Sequence, residues 1–325
     1  MTTVETCEKQ AEWDEEILAR GGHPLQLWGW GKTKAAHNWG VERVFVRADG
    51  MLIGAAQLLI RELPRPFSAL VYIPRGPVAG ERDRGVVLDA LAEHAKHTYK
   101  AIAISVEPDW KTTPELNDWH ESTNTILIPR TLILDLAKTE DELLADMTKK
   151  TRQYIRKSES EAIEIRKVKS REELDACLAI YKQTAERAHF GLHDDQYYYD
   201  VFDNLGEYSP VFAAFLGNQP VAFLWLVISQ AVAFELYGGM NDDGQRLRAN
   251  YALKWHTIRT TKKWGIERYD FNGLLNDGVS TFKQGFASHE DMLAGTYDKP
   301  LSPLYSVWSR ALPAAKKLLR IVKNR

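Results

Sequence analysis

The chain has 325 residues, 44% of them hydrophobic and 26% charged, an ordinary globular composition with room for two cores. A formal net charge of −2 excludes a globally basic nucleic-acid binder, though not a local basic patch. Two cysteines far apart, Cys7 and Cys177, exclude a disulfide scaffold and a cysteine-rich zinc site, and fit a reducing cytosol.

In chain order, the acidic start MTTVETCEKQAEWDEE predicts no export signal. A helix is expected over Glu8–Arg20. Strands follow at Glu42–Val46 and Met51–Ile60, joined by a turn at Ala48-Asp49-Gly50, and then at Ser68–Ile73. Gly85–Thr98 patterns as a helix, and Ala101–Val106 as a strand running into Glu107-Pro108. A second helix, Arg171–Arg187, has a Ser170 cap and acidic residues in its first turn. The apolar stretch Val211–Met240 is cut at Gly217–Pro220 and at Ser229-Gln230, which gives three antiparallel strands. Arg248–Trp264 reads as a helix stopped by Gly265, and IERYDFNG as a strand. No apolar stretch approaches the ~20 residues that span a bilayer.

One unit of helix, three strands, helix and strand thus occurs twice, a duplication of topology and not of sequence. The expected fold class is α/β (α+β) in two domains, 1–145 and 146–300, the first completed by a C-terminal segment, 301–325. Helix, hairpin, strand, helix, strand resembles the GNAT N-acyltransferase fold, so two GNAT-like domains in tandem are expected. GNAT enzymes hold the CoA pyrophosphate at a Gly-rich turn that opens the helix after the third strand. The corresponding stretches here, PRGPVAGERDRGVV and MNDDGQRLRANYAL, lack the R-x-x-G-x-G/A pattern, and the second places Asp242 and Asp243 there. CoA is therefore disfavoured as donor.

Seven segments carry a further resemblance: LQLWGWGKTK (Leu25–Lys34), YIPRGPV (Tyr72–Val78), MTKKTRQYIRK (Met147–Lys157), YGGM (Tyr237–Met240), WGIERYDFNG (Trp264–Gly273), TFKQGF (Thr281–Phe286) and GTYDKP (Gly295–Pro300). Together, in this order, they resemble the Fem family of peptidoglycan aminoacyltransferases. Without a long heptad run, the chain is similar to the compact members that have no coiled-coil arm. The resemblance implies transfer of an amino acid from aminoacyl-tRNA to an amine of the peptidoglycan stem peptide, forming an interpeptide bridge. The acceptor would be UDP-MurNAc-pentapeptide or lipid II. The expected protein is a cytoplasmic monomer that uses no cofactor and no metal. Its rivals are a CoA-dependent N-acyltransferase on the same fold and a non-catalytic module that binds precursor or nucleic acid.

An aminoacyl ester is already activated, so the chemistry needs a neutral amine and a partner for the oxyanion, not a covalent nucleophile. No GxSxG or HExxH motif occurs. The resemblance assigns the oxyanion to Lys283, beside Phe282, in a loop after YDFNG. It assigns the precursor diphosphate to Lys32 and Arg187, with Lys34 competing with Lys32, because spacing does not choose between them. Tyr237, in the YGGM turn, would line the precursor site or pack at a strand end. Arg75 would contact precursor or hold its own loop in shape. Glu107 is a weak candidate for a general base.

MTKKTRQYIRK holds five basic residues and no acidic one. Lys149, Lys150, Arg152, Arg156 and Lys157 would meet tRNA phosphates or form a solvated helix face. Trp308–Arg325 holds six basic residues along an apolar stripe and would contact the inner membrane surface, bind tRNA or pack on the first domain. The pairs His94/His97 and His189/His193 are read as core or solvated histidines and not as metal ligands.

Overall fold

Along the chain, β1 (Thr2–Thr6) precedes α1 (Gln10–Ala19) and α2 (Trp28–Ala36). Next come β2 (Gly40–Ala48), β3 (Met51–Glu62), β4 (Ala69–Pro74), β5 (Val78–Ala79), α3 (Arg84–Tyr99), β6 (Ala101–Glu107) and β7 (His120–Glu121). β8 (Arg130–Thr131), β9 (Ile133–Asp135), α4 (Glu140–Asp146), α5 (Lys149–Glu159) and β10 (Glu164–Lys167) lead to α6 (Arg171–Ala188) and α7 (Asp195–Leu205). A meander of β11 (Val211–Leu216), β12 (Gln219–Ile228) and β13 (Val232–Met240) is followed by α8 (Asp242–Leu247) and α9 (Ala249–Lys263). β14 (Arg268–Asp270), α10 (Gly278–Gln284), β15 (Asp291–Met292) and β16 (Tyr297–Pro300) complete the order. The computed structural model describes residues 1–113, 117–122, 124–188, 190–275 and 277–311. The basic C-terminal stripe from residue 312 on, and His189, lie outside the described residues.

The chain forms two compact units. One takes Met1–Glu15, Lys34–Leu127 and the described residues from Ala294 on; the other takes Glu16–Thr33 and Ile128–Leu293. This partition differs from the expected division at 145–146 for two local reasons. β9 is hydrogen-bonded to β14, and α2 is seated on α7 through Thr33, whose hydroxyl donates to the Asp200 carbonyl at 3.1 Å.

In the first unit the sheet order is β1-β2-β3-β4-β6-β16-β7, with β5 beside β3. Only β4 and β6 run parallel. α3 covers one face with Val87, Leu88, Leu91, Ala92 and Ala95, packed on Val44, Leu58, Val71 and Ile104. Each fully buried large aliphatic there contributes roughly 1.5–3 kcal/mol.

The second unit has the order β10-β11-β12-β13-β14-β9, antiparallel except for β13 beside β14. Successive strand residues face opposite sides. Phe212, Ala214, Ala222, Leu224 and Leu226 pack with Leu253 and Ile258 of α9. The alternate residues Phe223 and Trp225 meet Tyr181 of α6 and Phe202 of α7. A β-bulge then breaks the alternation: Trp225 pairs with Tyr237 and Leu226 with Glu235, skipping Leu236. Glu235 and Tyr237, two residues apart, are thereby turned to opposite faces. Pairing between β13 and β14 covers only Val232–Phe234 against Arg268–Asp270. Beyond Phe234, β13 runs on to Met240 with β12 alone as its strand partner.

The expected helix Arg248–Trp264 is α9, and a short helix not foreseen, α8, precedes it. Arg248 takes a left-handed conformation (φ 53°) that separates α8 from α9.

α2 exists because glycine lets it approach α7. A β-carbon at Gly29 would lie 2.3 Å from the Asn204 carbonyl oxygen, whereas one at Gly85, in the first turn of α3, meets nothing within 4 Å. Gly29→Ala is expected to cost ~2 kcal/mol in urea unfolding, and Gly85→Ala to add about 0.5 kcal/mol. Equal midpoints for the two variants would contradict the close α2–α7 contact.

Candidate functional site

The site in the second unit is built from the turn that ends β14. Asp270 closes the strand, and its Oδ1 accepts from the Asn272 amide (2.8 Å) and from Thr131 Oγ1 (2.6 Å). Asn272 (φ 52°) and Gly273 (φ 60°) are both left-handed. In this turn the carbonyls of Asn272 and Gly273 both accept from Lys283 Nζ, the second at 3.1 Å. Lys283 lies in the last turn of α10 and not in a loop, as the sequence suggested, because Asp277 caps that helix by accepting from the Ser280 amide. An ammonium has three N–H donors, so one remains after the two carbonyls are served. Burial lowers the Lys283 pKa, opposed by Glu235, Asp270 and Asp277.

Beside it lies a buried ion pair that sequence reasoning missed. Lys254 Nζ, from α9, is 2.5 Å from Glu235 Oε1 on β13. The same oxygen accepts from Tyr269 OH at 2.9 Å, and Tyr269 OH lies 3.2 Å from Thr257 Oγ1. Lys254 Nζ sits over the rings of Phe271 (4.5 Å), Phe282 (5.2 Å) and Phe286 (5.9 Å). Burial brings the Lys254 pKa down to about 8, with Glu235 opposing and the Lys283 charge adding to the fall. The available signal was a lone carboxylate in the apolar strand VAFELY and a lone lysine on the inward side of an amphipathic helix.

Tyr237 lies within β13, not in a turn, on the other face of the sheet. Its ring meets Tyr181, Tyr198 and Trp225, and its hydroxyl is hydrogen-bonded to Tyr197. Arg187, near the end of α6, donates to the Met240 carbonyl and lies 3.5 Å from the exposed Asp242. Arg187 and Tyr237 thus share the far end of β13. Lys32 is exposed on α2.

The basic helix α5 divides into two kinds of cation. Arg152 is turned inward, donating to the carbonyls of Leu144, Ala145 and Met147, and so it caps α4. Lys149, Lys150, Arg156 and Lys157 are exposed. Lys150 and Arg248 flank the Tyr154 ring at 5.6 and 4.3 Å. Tyr154 meets Tyr251 at 5.1 Å, and Tyr251 meets Phe282 at 4.9 Å, so a line of rings runs from this helix to the Lys283 site.

In the first unit, Lys34 is half-buried and burial brings its pKa down to about 8. Arg75 is 2% exposed, in a left-handed conformation (φ 50°) just after β4, which suits a residue that shapes its loop. Glu107 is 1% exposed and accepts from four donors: Tyr72 OH, the Ile126 amide (2.6 Å), the Leu127 amide (3.0 Å) and Thr296 Oγ1 (2.8 Å). A carboxylate engaged in this way ties β4 and the residue before β16 to the end of β6. His94 faces Glu42 at 2.7 Å, His97 faces Glu93, and His193 stacks on Tyr197. Among the described residues, no group of three or more His, Cys, Asp or Glu could hold a metal ion, and no helix is long and apolar enough to cross a membrane.

Two sheets of mixed strands, each with a meander and one parallel pair, define the class: a tandem GNAT-like fold. A tandem GNAT protein from the clavulanic acid biosynthesis pathway superposes with a TM-score of 0.53 at 11% identity, over 93% of this chain and 99% of that one. The crystal structure of FemX superposes far better, with a TM-score of 0.82 at 21% identity, over 94% of this chain and all of that one. The lipid II:glycine glycyltransferase of Staphylococcus epidermidis is 23% identical over 386 aligned positions, spanning 91% of this chain and 92% of that protein. A FemAB family profile matches residues 19–128, 120–216 and 216–312. The chain belongs to the FemAB family and is an aminoacyltransferase of that family.

Glu107→Gln keeps the shape but removes charge-assisted acceptance, and is expected to cost ~2–3 kcal/mol of stability. Per folded molecule, turnover should stay near wild type. Lost turnover with an unchanged urea midpoint would return Glu107 to the chemistry.

Proposed function

We propose that this protein transfers an amino acid from aminoacyl-tRNA to an amine of a peptidoglycan stem peptide, carried on UDP-MurNAc-pentapeptide or lipid II. The observation that carries the reading is the Lys283 ammonium, fixed by two carbonyls with one N–H left for a ligand. The acceptor nitrogen's lone pair attacks the ester carbonyl, forming the C–N bond. The carbonyl oxygen becomes an oxyanion that Lys283 stabilises. Collapse expels the ribose oxygen of the tRNA, which takes up the proton shed by the nitrogen. Phe282 walls the site. The reaction runs in the cytoplasm, where charged tRNA is available.

The exposed Lys149, Lys150, Arg156 and Lys157 are the donor's phosphate contacts, and Arg152 acts beneath them as a helix cap. Lys32 and Arg187 are the handle for the acceptor diphosphate, and Tyr237 lines that side. The acyl-CoA alternative suffers from Asp242 and Asp243, carboxylates in the first turn of α8 where a pyrophosphate would have to sit.

Lys283→Met is expected to lower single-turnover transfer by ~10²-fold, the loss typical of removing one oxyanion donor. Ribonuclease should abolish transfer, and acetyl-CoA should not restore it. Reversing the charge of Lys149, Lys150 and Arg156 together should flatten the dependence of tRNA binding on salt. Transfer that survives ribonuclease and needs acyl-CoA would overturn the reading.

Lys32→Ala and Arg187→Ala should each weaken a diphosphate-bearing precursor on the order of tenfold, and leave the bare stem peptide unaffected. Calorimetry with both ligands decides it; equal losses on the two would place these residues in the fold and not at the phosphates.

A further inference from the structure

Three carboxylates act on the Lys283 ammonium from three elements: Glu235 of β13, Asp270 at the end of β14, and Asp277 at the start of α10. Each attracts that ammonium, the more so if left idle. None is idle. Asp270 serves Thr131 and the Asn272 amide, and Asp277 serves the Ser280 amide. Glu235 is the one met by a full opposite charge, Lys254, besides Tyr269 OH. A lysine 4% exposed under three phenylalanine rings is an expensive way to hold a helix on a sheet, since an apolar side chain of similar volume often does so as well or better. Its charge is close enough to Lys283 for the two to repel.

We propose that Lys254 is a positioning residue for the transfer: by neutralising Glu235 it keeps one N–H of Lys283 uncommitted and available to the reacting oxygen. This rests on the reading of Lys283 as the oxyanion's partner. Lys254 itself touches no reacting atom. It acts through Glu235, which would otherwise pair with Lys283 and withdraw the ammonium from the ester.

Competitive labelling with acetic anhydride across pH, read by peptide mass spectrometry, reports the midpoint at which Lys283 loses its proton, and needs no substrate. Lys254→Met leaves the Glu235 charge uncancelled, and the Lys283 midpoint should move up by about one pH unit or more. Glu235→Gln keeps an acceptor for Tyr269 but removes the attraction, and the midpoint should move down. The double variant should return close to wild type. Turnover should follow: Lys254→Met loses about tenfold or more in kcat with KM for charged tRNA little changed, and the double variant regains most of that loss. A packing role predicts that neither single variant moves the midpoint and that the double is at least as impaired as the worse single. Either result overturns the proposal. Absence of transfer by the wild type from any charged tRNA would refute the function while the labelling series still decides the charge relation.

Discussion

Three residue pairs join β14 to β13, and then the strands part. That parting forfeits ladder hydrogen bonds, and backbone groups at such a place need other partners. The two left-handed residues after Asp270 supply part of the answer by lending their carbonyls to Lys283. Rings supply the rest: Phe271 and Phe286 are fully buried, and Phe282 packs against Phe286 and Tyr251. Each buried ring contributes roughly 1.5–3 kcal/mol, which offsets the cost of dehydrating two lysines and a glutamate beneath them. The apolar ring cluster and the charged site are therefore one construction.

The bulge opposite Trp225 and Leu226 gives this opening two sides. Glu235 faces α9 and the Lys283 site, whereas Tyr237 faces α6 and the tyrosine cluster. On the proposed assignment, the acceptor is held on the Tyr237 and Arg187 side and the ester on the Lys283 side. One skipped residue in a strand thus gives the two faces of the sheet different chemistry.

Much of this was legible in the sequence, and what was not has physical causes. β11, β12 and β13 announce themselves by apolar runs cut with turn residues, and α3 and α6 by their apolar period. α2 does not, since WGWGKTK has no such period, and its place depends on a glycine meeting the backbone of α7. The FK pair was legible as a motif, but its helix was not, because seven residues set by one aspartate cap carry little periodic signal. Arg152 was grouped with the exposed cations because composition counts charges, while the structure assigns it three carbonyls at the end of α4. Glu235 escaped notice as a single charge in an apolar strand, and Lys254 as one of several basic residues on an amphipathic helix. Only the fold shows that they face each other.

β16 lies between β6 and β7 in the first unit's sheet, and Thr296, just before it, donates to Glu107 at the end of β6. The residues that belong between these strands are thus encoded after the whole of 128–293. On a ribosome adding 5–20 residues per second, β6 and β7 emerge roughly 10–35 s before the strand that joins them. During that interval the Glu107 carboxylate lacks one donor, and the edges of β6 and β7 stand open. The nascent first unit therefore waits as an incomplete sheet, exposed to strand addition by other chains, while the residues of the second unit are still being made.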